Sequence, residues 1–126
     1  MLAGSKIVAF SATTDSGKAR AFYEELLGLT LVSDDEFAIV FMANGTELRV
    51  QKVKAVNPQP FTVLGWSVAS IDKVVQTIRS AGLEFERYAF LQQDAHGVWA
   101  APSGAKVAWL KDPDGNLLSF SQAPHL

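Results

Sequence analysis

At 126 residues, 48% of them hydrophobic and none a cysteine, the chain suffices for one compact core, and disulfides, thiolate metal ligands and a cysteine nucleophile are all excluded. Its 11 Lys and Arg stand against 13 Asp and Glu, a formal charge of −2 that provides no basic footprint for nucleic acid or an anionic membrane. No apolar run approaches the roughly 18–20 residues that span a bilayer and no signal-type segment is recognisable, so a cytoplasmic protein without a membrane partner is expected.

Residues 6–12 are apolar and β-prone, and Thr13, Thr14, Asp15 and Ser16 then form a polar cluster able to cap a helix. From residue 17 to 27, Ala19, Phe22, Tyr23, Leu26 and Leu27 recur at three- and four-residue steps, the stripe of an amphipathic helix, and Gly28 suits its left-handed stop. Three strands are predicted at about 30–33, 37–42 and 47–53, the last two joined by an Asn44-Gly45 hairpin turn. Residues 54–60 carry Asn57-Pro58 and Gln59-Pro60, which break regular structure and read as a linker.

The pattern then restarts. A strand at 61–68 leads to a helix capped by Ser70, with Ile71, Val74, Val75, Ile78 and Ala81 on one face and Gly82 as its stop. Further strands are predicted near 84–90, 106–111 and 117–122. Leu27-Gly28-Leu29-Thr30-Leu31 matches Ala81-Gly82-Leu83-Glu84-Phe85 at a constant offset of 54 residues, which predicts a duplication. Two βαβββ modules, about 6–53 and 61–122, then make one domain over 1–126. Phe22, Tyr23, Phe37, Phe41, Trp66 and Phe120 fall at core spacings, so packing is their expected role.

The most specific segment is Val107-Ala108-Trp109-Leu110-Lys111 followed by Asp112-Pro113-Asp114-Gly115-Asn116 and Leu117-Leu118-Ser119-Phe120, a strand, a tight turn and a strand. Asp112 to Asn116 reads as a structural turn rather than a catalytic carboxylate pair. With Ala21-Phe22-Tyr23-Glu24-Glu25-Leu26-Leu27-Gly28-Leu29, this segment resembles the paired signatures of the glyoxalase, bleomycin-resistance and extradiol-dioxygenase superfamily, the vicinal oxygen chelate proteins. The resemblance implies an α+β fold in which two curved mixed sheets form a cup. In metal-dependent members it also implies ligands from the first and last strands of each module, and here Val8, Val63, Arg49 and Ser119 align with those positions. Two aliphatic groups, a cation and a hydroxyl cannot hold a divalent ion, so no metal and no cofactor are expected. The chain has two histidines, His96 in a loop and His125 in the C-terminal tail, which leaves a relocated His-rich site without ligands.

Strand alternation gives the cup an apolar lining: Phe10 and Ala12 follow Val8, Gly65 and Ser67 follow Val63, Ser121 follows Ser119, and Glu47 and Gln51 flank Arg49. Such a lining suits a mostly apolar ligand whose anionic or carbonyl handle meets the Arg49 fork; alternatively Arg49 pairs with Glu47 and ties the sheet together. Residues 92–104 form the longest irregular stretch and bring Asp94, His96 and Trp99 together. Asp94 and His96 read either as a general-base pair or as solvated loop residues, and Trp99 as a lid or a dimer anchor.

Phe10, Arg49, Ser67, His96, Trp99 and Ser119 are therefore the candidate ligand-binding residues. The leading reading is a metal-free small-molecule-binding protein, and the resemblance implies a homodimer. A metal-independent lyase- or isomerase-like enzyme using a loop base and Arg49, and a degenerate scaffold for a protein partner, are the alternatives.

Overall fold

The computed structural model describes residues 1–124, so His125 lies outside the described residues. The chain divides into two compact units, Met1–Pro58 and Gln59–Leu126, and the division falls within the predicted linker.

The first unit runs β1 (Val8–Thr13), α1 (Ser16–Arg20), a π-helical segment (Ala21–Leu26), β2 (Thr30–Asp34), β3 (Ala38–Ala43) and β4 (Thr46–Lys52). Its mixed sheet has the order β1-β4-β3-β2, with β1 parallel to β4 and the other pairs antiparallel. Asp15 caps α1 by accepting the Lys18 N–H at 3.1 Å. The predicted single helix does not continue in α form: the Leu27 N–H reaches back to the Phe22 carbonyl, an i→i−5 bond, and Gly28 then turns left-handed at φ +75°. The Asn44-Gly45 turn takes positive φ at both residues, 47° and 86°, the pair a two-residue hairpin needs.

One face of this sheet is the core. Leu48, Val50, Ile39 and Phe41 are buried with Phe22 and Tyr23 of the π-helical segment, and the Tyr23 ring lies 5.9 Å from Phe41. Phe37, expected in the core by its spacing, is instead 71% exposed. It precedes β3 in the turn after Asp35, whose carboxylate accepts the Phe37 and Ala38 N–H groups, and this shape turns the ring out of the alternation.

The second unit runs β5 (Thr62–Ser67), α2 (Ile71–Ser80), β6 (Trp99–Ala100), β7 (Lys106–Lys111) and β8 (Leu117–Gln122), with sheet order β5-β8-β7-β6. Ser70 caps α2 through the Lys73 N–H, and Gly82, at φ +88°, occupies the same place after α2 that Gly28 occupies after the first helix. Ile71, Val75 and Ile78 are buried, as are Ala108, Leu110, Leu118 and Phe120 on the sheet face that carries α2. Trp66 stacks on Phe120 at 5.7 Å, and Phe85 meets the same ring edge-on at 6.3 Å.

Two predictions fail in this unit. Residues 84–90 form no strand; their backbone meets the sheet through the Glu86 N–H and the Trp109 carbonyl, 2.8 Å. The strand that follows α2 is instead the two-residue β6, inside the segment predicted to be irregular. The physical reason is the turn at Asp94, whose carboxylate accepts the His96 and Val98 N–H groups and aims Trp99 at Val107. Asp112 makes the corresponding turn between β7 and β8. Buried to 6% exposure, it accepts the Asp114 and Asn116 N–H groups at 2.9 Å each and the Asn116 side-chain amide at 3.0 Å.

Candidate functional site

Each unit has a second sheet face, away from its helix, and most of the predicted residues lie there. In the first unit the parallel register pairs Val8 with Glu47, Phe10 with Arg49 and Ala12 with Gln51, which places all six on that face. Phe10 is 53% exposed and Val8 41%. Arg49 Nη1 stands 3.7 Å from Glu47 Oε2, with both side chains more than a third exposed. That separation is too long for a good charge-assisted hydrogen bond, so the Arg49 fork is not locked by Glu47.

In the second unit, Gly65 pairs with Ser119 and Ser67 with Ser121 on the face opposite α2, and β7 adds Trp109 beside Ser119 and Val107 beside Ser121. A Cβ on Gly65 would stand 2.9 Å from Ser119 Oγ, so the glycine leaves that hydroxyl uncovered. Trp99, paired with Val107, joins the same face.

The sequence reading selected Trp99 but missed its neighbours. The Trp99 and Trp109 rings lie 6.1 Å apart at 31°, Tyr88 meets Trp109 edge-on at 5.5 Å, and Phe90 follows Tyr88 at 5.6 Å. Four rings thus form a continuous array, with Phe90 82% exposed at its end. Burial raises the Tyr88 pKa, Glu86 adds to the rise, and Lys111 opposes it. Only the alternation of Trp109 with Leu110 hinted at this array; Tyr88 and Phe90 sit where a strand was expected, and strand alternation says nothing of an irregular segment.

His96 does not join this face. It lines a groove of about 310 Å³ with Asp72, Gln76 and Arg79 on α2 and with Asp94 and Val98, on the helix side of the sheet. Nor does Asp94 orient the imidazole, since the hydrogen bonds of its Oδ1 go to backbone N–H groups. Burial works against its charge, but the Val98 and His96 N–H groups outweigh it and lower the pKa. Of the two readings of this pair, the hydrogen bonds show Asp94 shaping the turn that carries His96.

These observations define the class first: a protein of two βαβββ units in which each mixed sheet buries one face under a helix and leaves polar and aromatic groups on the other. The chain matches the model of the Glyoxalase/Bleomycin resistance protein/Dioxygenase superfamily over residues 7–120 and belongs to that superfamily. Among solved structures it is similar to the fosfomycin resistance protein FosX from Listeria monocytogenes, at 13% identity and TM-score 0.77, covering 98% of this chain and 95% of that one. It is also similar to a lactoylglutathione lyase from Agrobacterium tumefaciens, at 19% identity and TM-score 0.71 with 95% of each chain covered. A bleomycin-binding protein complexed with bleomycin is similar at 21% identity and TM-score 0.73, with 94% of this chain and 98% of that one covered. At these identities the likeness is one of fold. No curated protein matches the chain.

The positions that the family resemblance marks for a metal do not fit one. Val8 and Val63 are aliphatic, Arg49 is a cation and Ser119 a hydroxyl, whereas a divalent ion requires imidazole, carboxylate or comparable donors. Among the described residues no group of three or more His, Asp or Glu is placed to hold an ion.

Proposed function

We propose that this protein is a metal-free small-molecule-binding member of its superfamily, taking a mostly apolar, flat ligand with an anionic or carbonyl handle, and working in the cytoplasm as a homodimer. The observation that carries the reading is the array of Trp99, Trp109, Tyr88 and Phe90 on the helix-free face of the second sheet. Ring centroids 5.5 to 6.1 Å apart are at ordinary aromatic packing distances, and a half-exposed array of this kind offers apolar area that a flat ligand can cover. Ser119 and Ser67 on the same face supply hydroxyls able to donate to a carbonyl. On the first unit, Arg49 beside exposed Phe10 offers a separate charged fork for an anionic group.

The test is calorimetric titration with 2-naphthoate, which has a flat body and a carboxylate, against 2-methylnaphthalene, which lacks the handle. Trp109→Phe is expected to weaken both. Ser119→Ala, beside Trp109 on the same face, is expected to weaken naphthoate alone, by about 1.5 to 3 kcal/mol, the worth of a hydrogen bond to a charged group. Absence of naphthoate binding in the unaltered protein, or equal loss of both probes in Ser119→Ala, refutes the reading.

A further inference from the structure

We infer that Gln93 is the positioning residue that fixes the aromatic array and, resting on the proposed binding role of that array, sets its preference for flat ligands. Trp109 is held in the ladder between β8 and β6. Tyr88 and Trp99, the rings on either side of it, come from outside the regular strands or from the two-residue β6. Both segments bond to one side chain, the Trp99 segment in addition to its pairing with Val107 and the Asp94 turn. Gln93 Oε1 accepts the Tyr88 N–H at 2.8 Å, while its Nε2 donates to the Glu86 carbonyl at 2.9 Å and to the Gly97 carbonyl at 2.8 Å.

This amide does what a neighbouring strand would have done for residues 86–88, accepting one N–H and donating to one carbonyl there, and its second N–H reaches Gly97. Only one orientation of a glutamine amide satisfies two carbonyls and one N–H, so its direction is set by its partners. Gln93 also bridges to Trp99 in antiparallel fashion, and Gly97 lies two residues before that ring. Arg87 ties the segment from the other end, with Nη2 donating to the Asp94 and Ala95 carbonyls. Without the amide, Trp109 keeps its place, Tyr88 loses the bond to its N–H, and Trp99 is left with only the two-residue β6 and the Asp94 turn to hold it. A ligand must then order those rings on binding, and the advantage of a flat body over a globular one falls.

The experiment compares Gln93→Met, which keeps chain length and removes all three hydrogen bonds, with Val75→Ala, a core truncation on α2 that lowers stability without touching the array. Two readouts separate positioning from stability. The circular-dichroism couplet from the close Trp99 and Trp109 indoles is expected to be lost in Gln93→Met and kept in Val75→Ala. The preference for 2-naphthoate over 1-adamantanecarboxylate, which has the same handle on a globular body, is expected to fall roughly threefold to tenfold in Gln93→Met alone, the worth of an aromatic contact. A couplet retained in Gln93→Met, or lost equally in both variants, overturns the inference whatever the ligands do. If neither probe binds the unaltered protein, the binding role fails, and the couplet alone decides the placement of the rings. Should Gln93→Met not fold, exchange of the Gln93 side-chain amide protons in the unaltered protein replaces it: slow exchange supports the inference, and exchange at the solvent rate overturns it.

Discussion

Replacing Gly97 with alanine tests the segment that carries Trp99, because two separate costs meet at this residue. Gly97 has φ +96°, and a Cβ built on it would lie 2.9 Å from the Cβ of Phe85, a buried ring in edge contact with Phe120. Placing an L-residue in left-handed backbone costs about 1–2 kcal/mol. Forcing a methyl group against an immobile core atom adds about 1–3 kcal/mol, so Gly97→Ala should lose roughly 2–5 kcal/mol. Gly82 provides the comparison, since it has φ +88° but no atom within 4 Å of its would-be Cβ. Gly82→Ala should therefore lose only the backbone cost, about 1–2 kcal/mol. Each kcal/mol lowers the melting temperature by roughly 3–6 °C in a chain of this size, and chemical denaturation with matched m-values converts midpoints to free energies. Equal losses in the two variants would refute the close approach at Phe85, and a harmless Gly97→Ala would refute the turn itself.

Asp112→Ala should be among the most damaging substitutions away from the apolar core, by about 2–4 kcal/mol, because it strands the buried Asn116 N–H and side-chain amide that Asp112 satisfies; denaturation monitored by tryptophan emission measures it. Acid should destabilise the fold through three aspartates whose pKa values are lowered: Asp34 by the Lys52 ammonium 2.6 Å away, with Arg20 adding to it, Asp35 by the Ala38 and Phe37 N–H groups, and Asp94 by its turn. A depressed folded-state pKa gives stability that is fully present above the ordinary aspartate value of 3.8 and is lost as pH falls below it. Melting temperatures from about pH 6 to about pH 2 should be flat above that value and drop below it, with a shallower drop in Asp34→Asn.

The sequence by itself determined the βαβββ order of elements in each half, because this rests on local chemistry: Asp15 and Ser70 cap helices, Gly28 and Gly82 stop them, and Asn44-Gly45 closes a hairpin wherever it stands. It also placed Phe10, Arg49, Ser67 and Ser119 on the helix-free sheet faces, since alternation along a strand is a property of the backbone. The tertiary structure alone decided the irregular segment between α2 and β7. There Asp94 spends its carboxylate on its own loop, His96 falls beside α2, and residues 84–90 give up a ladder for the side chain of Gln93. Periodicity cannot report a segment whose backbone partners are side chains distant from the strand pattern. Tyr88, Phe90 and Trp109 consequently became one array only when folding brought them alongside Trp99.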